Sequence, residues 1–499
     1  MFSSLFHRAA VAPLLFALGL SGCASVPADW GRSEAARLAA ERGRNTPQPA
    51  DTVAWTRDAL AQPLTPQAAA QLALLHNPDL RLRNARLGIA QADLYEAGRL
   101  ANPVISATDL SGDSGPHSRL TLGIGFDIVR LLTLPATRRN AQAGVDAARL
   151  EVGGAIVELA TQAERDWFAA AAAAQGAQVR ELSADAARAS GELAQRYFDA
   201  GNINRRQLNL EQAEASSLRL DLLAAQSEAA TARAALNRRM GQRDDDAWTL
   251  TELPEVPQHD PALDELLRQA VESRLDIAAA QSEVLAVAGR YRLTRRTRLI
   301  GEVQIGAERE REYDGAINAG PSVSMSLPLF DWGGGRKARA QAELDIAEAH
   351  LDGLVLDAHN DVRAAYARLQ LARERASAYR EQLIPQREAV VAFLQQEVNY
   401  MLAGVFELLV ARRQTYDAYA GYIDAVRDYW LARCDLTQAV GRVLPLETTA
   451  ITPPAVGAEA DRAPVPESSG GSPTDVPAES HAHHHHAPAG PAEPNGDAP

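Results

Sequence analysis

Residues 395–441 read QQEVNYMLAGVFELLVARRQTYDAYAGYIDAVRDYWLARCDLTQAVG, and this stretch decides the fold. Leu409, Tyr416, Tyr419, Ile423, Val426, Trp430 and Cys434 recur at three, four and seven. That spacing predicts an amphipathic helix with a buried stripe. The pattern runs through Gly421 and begins at Gly404, so Gly404 is the expected break. A glycine between two helical runs reads as a C′ cap and a tight turn. The stretch is therefore expected to be the tip and returning arm of a long helical hairpin.

The order of the chain makes it the second of two. Thr65-Pro66 opens a helix, with Thr as N-cap and Pro at N1. Asn77-Pro78 opens another, to about Leu100, with Leu80, Leu82, Ala85, Leu87, Ala90 and Leu94 inward. Alternating segments 102–108 and 119–127 predict two strands with one apolar and one polar face. A helical region of about 136–240 follows, broken at Gly201. The series then returns. Asp260-Pro261 opens a helix, 302–308 and 322–329 alternate, and about 336–440 is helical with its break at Gly404. Asp79 to Asp276, Gly201 to Gly404 and Gly241 to Gly441 are all separated by about 200 residues. The chain is expected to be a tandem repeat.

The N-terminus carries a basic flank, His7-Arg8, an apolar run from Ala9 to Leu20, and Leu20-Ser21-Gly22-Cys23. This predicts a signal peptide over 1–22. The domain plan is then an arm over 23–62, a first repeat over 63–245, a second over 246–445 and a tail over 446–499. The tail is acidic and proline-rich, without periodicity, and is expected to be disordered. Once Cys23 is accounted for, only Cys434 remains, so no internal disulfide is expected. Cys434 lies on the apolar stripe and reads as a small buried residue.

Net charge is −14, which argues against nucleic acid as a partner. The sequence lacks a metalloprotease spacing, a nucleophile elbow and a phosphate loop, so no enzyme and no cofactor is expected. Past the N-terminus no stretch has the length of a transmembrane helix. A membrane crossing would then need a closed β-barrel. Four strands cannot close one alone, so closure predicts a symmetric oligomer. Three copies would supply twelve strands. An arm of about 65 residues reaches on the order of 100 Å.

These pieces resemble the outer membrane factors, the TolC-like channels of efflux and type I secretion. The resemblance rests on Asn77-Pro78-Asp79-Leu80, on PLFDWGGG at 328–335, on 400–411 with its Gly and Glu-Leu-Leu, and on 428–433 with Ala439-Val440-Gly441. It covers about residues 60–445. It implies helical hairpins plus a membrane β-barrel: a homotrimer with a twelve-stranded barrel, four strands per chain, continued by a long α-helical barrel across the periplasm. It implies partners as well, a periplasmic adaptor and an inner-membrane pump. Leu20-Ser21-Gly22-Cys23 resembles a bacterial lipobox, which implies a covalent lipid on Cys23 and, with Ala24 next, a place in the outer membrane. Acylation resembles the branch that includes copper and heavy-metal exporters.

Candidate site residues lie at the tips. Glu407 is either one of a ring of carboxylates attracting cations at the entrance or an acid serving the helix dipole. Val410 stands where the family's tip often has Asp. Arg205 and Arg206 either pair with acids of a neighbouring tip or form a solvated turn. Asn204 and Gln207 approximate a capping box. In the tail, His481, His483, His484, His485 and His486 either capture metal or are solvated without ligand geometry. The function expected is passive conduction of solute, weakly metal ions such as copper, otherwise drugs. The competing readings are a non-conducting periplasmic tether of coiled hairpins and a metal-binding periplasmic protein.

Overall fold

The computed structural model describes residues 27–111, 118–243, 247–299, 303–326 and 329–445. The signal peptide, Cys23 and the tail with its five histidines lie outside the described residues.

The first repeat runs α1 (Arg32–Ala40), α2 (Thr52–Leu60), α3 (Pro66–His76), α4 (Pro78–Ala97), β1 (Val104–Leu110), β2 (Arg119–Asp127), α5 (Ile128–Asp199) and α6 (Arg205–Met240). The second runs α7 (Leu263–Ser273), α8 (Leu275–Thr297), β3 (Val303–Arg311), β4 (Ile317–Met325), α9 (Gly334–Ala378), a π-helical turn (Tyr379–Leu383), α10 (Ile384–Asn399) and α11 (Val405–Val440). None of the described helices is long and apolar enough to cross a membrane. α5 has 72 residues, or about 108 Å at 1.5 Å per residue.

Local chemistry sets the ends. Thr65 accepts from Ala68 N, with Pro66 at the first helical position. Asn77 accepts from Asp79 N, and its amide donates to Arg239 O at 3.0 Å, fixing the start of α4 to the end of α6. Asp127 ends β2 and caps α5 through Arg130 N at 3.1 Å. That cap lets α5 begin eight residues before the expected start, running through Pro135.

Other expectations are corrected. The arm, whose polar sequence reads as irregular, carries α1 and α2, and Asp51 caps α2 through Val53 N and Ala54 N. Asp260 does not open α7, because its carboxylate is buried elsewhere. Leu82 and Ala85 face solvent, since only a narrow stripe of α4 (Leu80, Leu87 and Gln91) is buried. β4 spans 317–325 rather than 322–329. Pro321, which cannot donate to a ladder, sits within it, on an edge strand of the sheet.

The four strands form one antiparallel sheet in the order β1-β2-β3-β4. Register places Ile105, Ile124, Ala307 and Pro321 in one row and Phe126, Ile305 and Val323 in another. The opposite face carries Ser106, Gly123, Glu308 and Gly320, then Thr108, Thr121, Glu310 and Asn318. Large apolar residues are exposed along the first face, Ile105 by 76% and Val323 by 70%.

The core sits where the hairpins meet the linker between repeats. Phe168 stacks on Trp430 at 4.9 Å and meets Trp167 edge-on at 5.2 Å. Each buried indole N–H finds an acceptor: Trp167 on Leu64 O, Trp248 on Asn237 Oδ1, Trp430 on Pro254 O. Leu64 also pairs with Leu250, stitching the start of the first repeat to the linker. Asp260 accepts from Arg373, Tyr429 and Arg433, tying that linker to α9 and α11. Cys434 is buried, and burial pushes its thiol far above the ordinary range, so it is unreactive.

Candidate functional site

The two hairpin ends are built alike. In the first, Ala200 N, Gly201 N and Asn202 N donate to Arg196 O, Phe198 O and Tyr197 O. In the second, Tyr400 N, Met401 N and Leu402 N donate to Gln396 O, Val398 O and Glu397 O. Every partner is displaced by 200 residues. Gly201 takes φ +77° and Met401 φ +62°. The counterpart of Gly201 is therefore Met401, not Gly404. Gly404 is extended (φ −82°, ψ 145°) and is the N-cap of α11, matching Asn204. The expected C′ glycine is thus an N-cap glycine, and the left-handed turn falls on methionine.

Asn204 accepts from Gln207 N at 2.9 Å. Gln207 does not reach back to complete a capping box; it donates to Glu211 at 2.8 Å. Arg205, Arg206 and Glu407 are brought to the same end of the molecule and are exposed. None of the three has an ion pair among the described residues. Glu407 N donates to Gly404 O, placing its carboxylate in the first turn of α11.

Contacts hold the tips side by side. Phe406 meets Tyr197 edge-on at 5.9 Å. Arg413 pairs with Glu214, and Arg180 with Asp417 at 2.6 Å. The pairing of charges between hairpins had no signal in the sequence, because these positions lie on faces that read as solvated. The second tip also presents Tyr400, Met401 and Leu402, exposed by 77%, 94% and 78%. The first has Ala200, Gly201 and Asn202 in their place.

The outgoing arm of the second hairpin has a feature the first lacks. A π-helical turn at Tyr379–Leu383 precedes Pro385. Tyr379 lies against Gly421 of α11, where an added Cβ would come within 2.6 Å of the phenol oxygen. Gly421 is required by this approach. Further up, Tyr419 donates to Glu388, and burial together with that carboxylate pushes the Tyr419 phenol up to about 12. No group of three or more His, Cys, Asp or Glu among the described residues is placed to hold a metal.

At the far end, Trp332 is 66% exposed and Phe330 98%. Gly333 turns the chain into α9 with φ +68°, and a Cβ there would come within 2.7 Å of Arg298 O. The glycine is required by this close approach.

Residues 266–442 match the family model of outer membrane efflux proteins. That match falls within the second repeat. Solved channels share the fold. The outer-membrane channel OprN is 20% identical, with TM-score 0.63, covering 75% of this chain and 89% of that one. VceC of Vibrio cholerae is 20% identical, with TM-score 0.63, covering 76% and 96%. CmeC of Campylobacter jejuni is 16% identical, with TM-score 0.64, covering 77% and 86%. No curated protein matches. In this chain, as in those structures, long helical hairpins continue from a small antiparallel sheet.

Proposed function

We propose that this protein is the outer membrane channel of a tripartite efflux system, a homotrimer conducting solute passively to the exterior. The observation that carries this reading is the four-stranded sheet with an exposed apolar face and unpaired edges at β1 and β4. Lipid does not tolerate unpaired strand edges, so such a sheet is stable there only when closed. Strands of nine residues span about 30 Å, the thickness of a hydrocarbon core. Three copies close twelve strands, wide enough for a water-filled lumen.

The hairpins then extend into the periplasm, where their tips meet an adaptor fed by an inner-membrane pump. Glu407 contributes to a carboxylate ring at the entrance, and Arg205 and Arg206 hold neighbouring tips through ion pairs. A lipid on Cys23 anchors the arm. The cargo is metal ions such as copper, supported by the histidines of the tail, with drug-like solutes as the other class. No catalytic role is proposed.

Conductance of the purified trimer in planar bilayers tests the channel. Stable single-channel currents are expected; a trimer that conducts nothing favours the periplasmic tether. Deleting residues 451–499 and scoring copper sensitivity tests the cargo, since unchanged resistance removes the tail from the argument.

A further inference from the structure

Antiparallel pairing brings four chain segments to one end of the sheet: the end of α4, the start of α5, the end of α8 and the start of α9. Their charge is unlike the rest of the chain. Residues 95–103, 127–139, 290–299 and 329–339 hold twelve Arg or Lys and three acids, in a protein of net charge −14. The segment 290–299, RYRLTRRTRL, carries five of the arginines. None of the twelve cations makes an ion pair with any described residue, although arginines elsewhere in the chain are paired repeatedly. Their hydrogen bonds are few: Arg99 to Tyr95, Arg139 to Pro135 O, Arg292 to Ala288 O and Arg336 to Arg298 O.

An apolar groove opens among them. Leu100, Phe126, Leu131 and Ile305 line it together with Arg99, Arg130 and Asp127, whose carboxylate accepts from Arg130 N. Phe126 and Ile305 belong to the exposed apolar face of the sheet, so the groove continues that face. Exposed Phe330 and Trp332 flank the same end, as aromatic residues do at a bilayer interface. Apolar walls meeting guanidinium groups match one kind of ligand: acyl chains joined to a phosphate.

We propose that this junction is a binding girdle for anionic phospholipid headgroups of the leaflet facing the helices, with Arg99 and Arg130 holding the phosphate and the groove taking an acyl chain. The proposal rests on the reading of the sheet as membrane-inserted. Unpaired arginines clustered by the fold at one depth have their counter-charge in the lipid, not in the chain.

The test is reconstitution of the full-length protein in vesicles of phosphatidylcholine with and without phosphatidylglycerol, followed by extraction and quantitation of the lipid retained on the protein. Phosphatidylglycerol is expected at least about fivefold above its mole fraction, falling toward it at high salt. Arg99→Gln combined with Arg130→Gln should lose the enrichment, while Arg205→Gln with Arg206→Gln at the distant tips should keep it. Inorganic phosphate should not compete. Insertion with equal retention of both lipids overturns the girdle alone, as does competition by phosphate, which would mark a free-anion site. Failure to insert in any bilayer overturns the membrane reading and the girdle with it. If the double variant misfolds, enrichment by the parent and its loss in salt decide the matter.

Discussion

Met401 repeats the left-handed backbone of Gly201 two hundred residues later, within matching hydrogen bonds. A side chain in that conformation costs roughly 1–2 kcal/mol. Gly201→Ala should therefore destabilise the first tip by about 1 kcal/mol, read from urea midpoints. Met401→Gly should be neutral or slightly stabilising, because relief of strain is offset by about 0.4–1 kcal/mol of unfolded-chain entropy. A marked loss of stability in Met401→Gly would show that the methionine side chain holds the tip.

The duplication was legible in the sequence because periodicity and helix-cap residues are local signals. Strand β2 falls where alternation placed it, Arg119–Asp127. The pairing of landmarks was less so: Gly404 looked like a C′ glycine, since composition cannot tell an N-cap glycine from a C-cap one. Asp260 shows the other limit. Asp-Pro reads as a helix start, but the carboxylate is claimed by Arg373, Arg433 and Tyr429 from helices more than 100 residues away, and no local pattern encodes that. Arg413 with Glu214 was illegible for the same reason.

Removing the Asp260 charge should be costly. Its side chain is only 2% exposed between Arg373 at 2.5 Å and Arg433 at 3.3 Å. Asp260→Ala leaves two guanidinium groups without their shared partner, with an expected loss of about 3–5 kcal/mol in chemical denaturation. Arg433→Met alone should cost less, since Arg373 and Tyr429 still satisfy the carboxylate.

Gly421→Ala places a methyl group against Tyr379, with two ring carbons and the phenol oxygen within 2.8 Å. The expected loss is about 1–3 kcal/mol. Tyr379→Ala in the same chain should recover part of it, so the double-mutant cycle is non-additive. Additive losses would mean that the ring moves aside at no cost.

His76 makes stability depend on pH. Its Nε2 lies 2.7 Å from Thr56 Oγ1. Burial, then the charge of Arg81, holds the imidazole below its ordinary 6.5. As pH falls below 6.5 the unfolded chain takes the proton first, so the stability contributed by neutral His76 is present above that value. It is lost as pH drops through the lower folded value. His76→Gln should flatten this decline, read as the change in urea midpoint between about pH 7.5 and about pH 5.5.

At the entrance, Glu407→Gln should lower cation preference in bilayer reversal potentials if the carboxylate ring sets it. Arg205→Gln with Arg206→Gln should raise the open fraction without changing that preference. Equal effects from both variants would contradict separate roles.

The π-helical turn at Tyr379–Leu383 has a consequence for how the duplicate diverged. From the end of β2 to Gly201 is 74 residues, and from the end of β4 to Met401 is 76. The helical shafts differ the other way, 72 residues in α5 against 66 from Gly334 to Asn399. A π-turn holds about one residue more per turn than an α-helix, so it shifts the phase of the faces beyond it along the second shaft. The tip beyond it kept its bond-for-bond copy of the first. The two shafts differ in length and winding, while their ends keep one hydrogen-bond pattern.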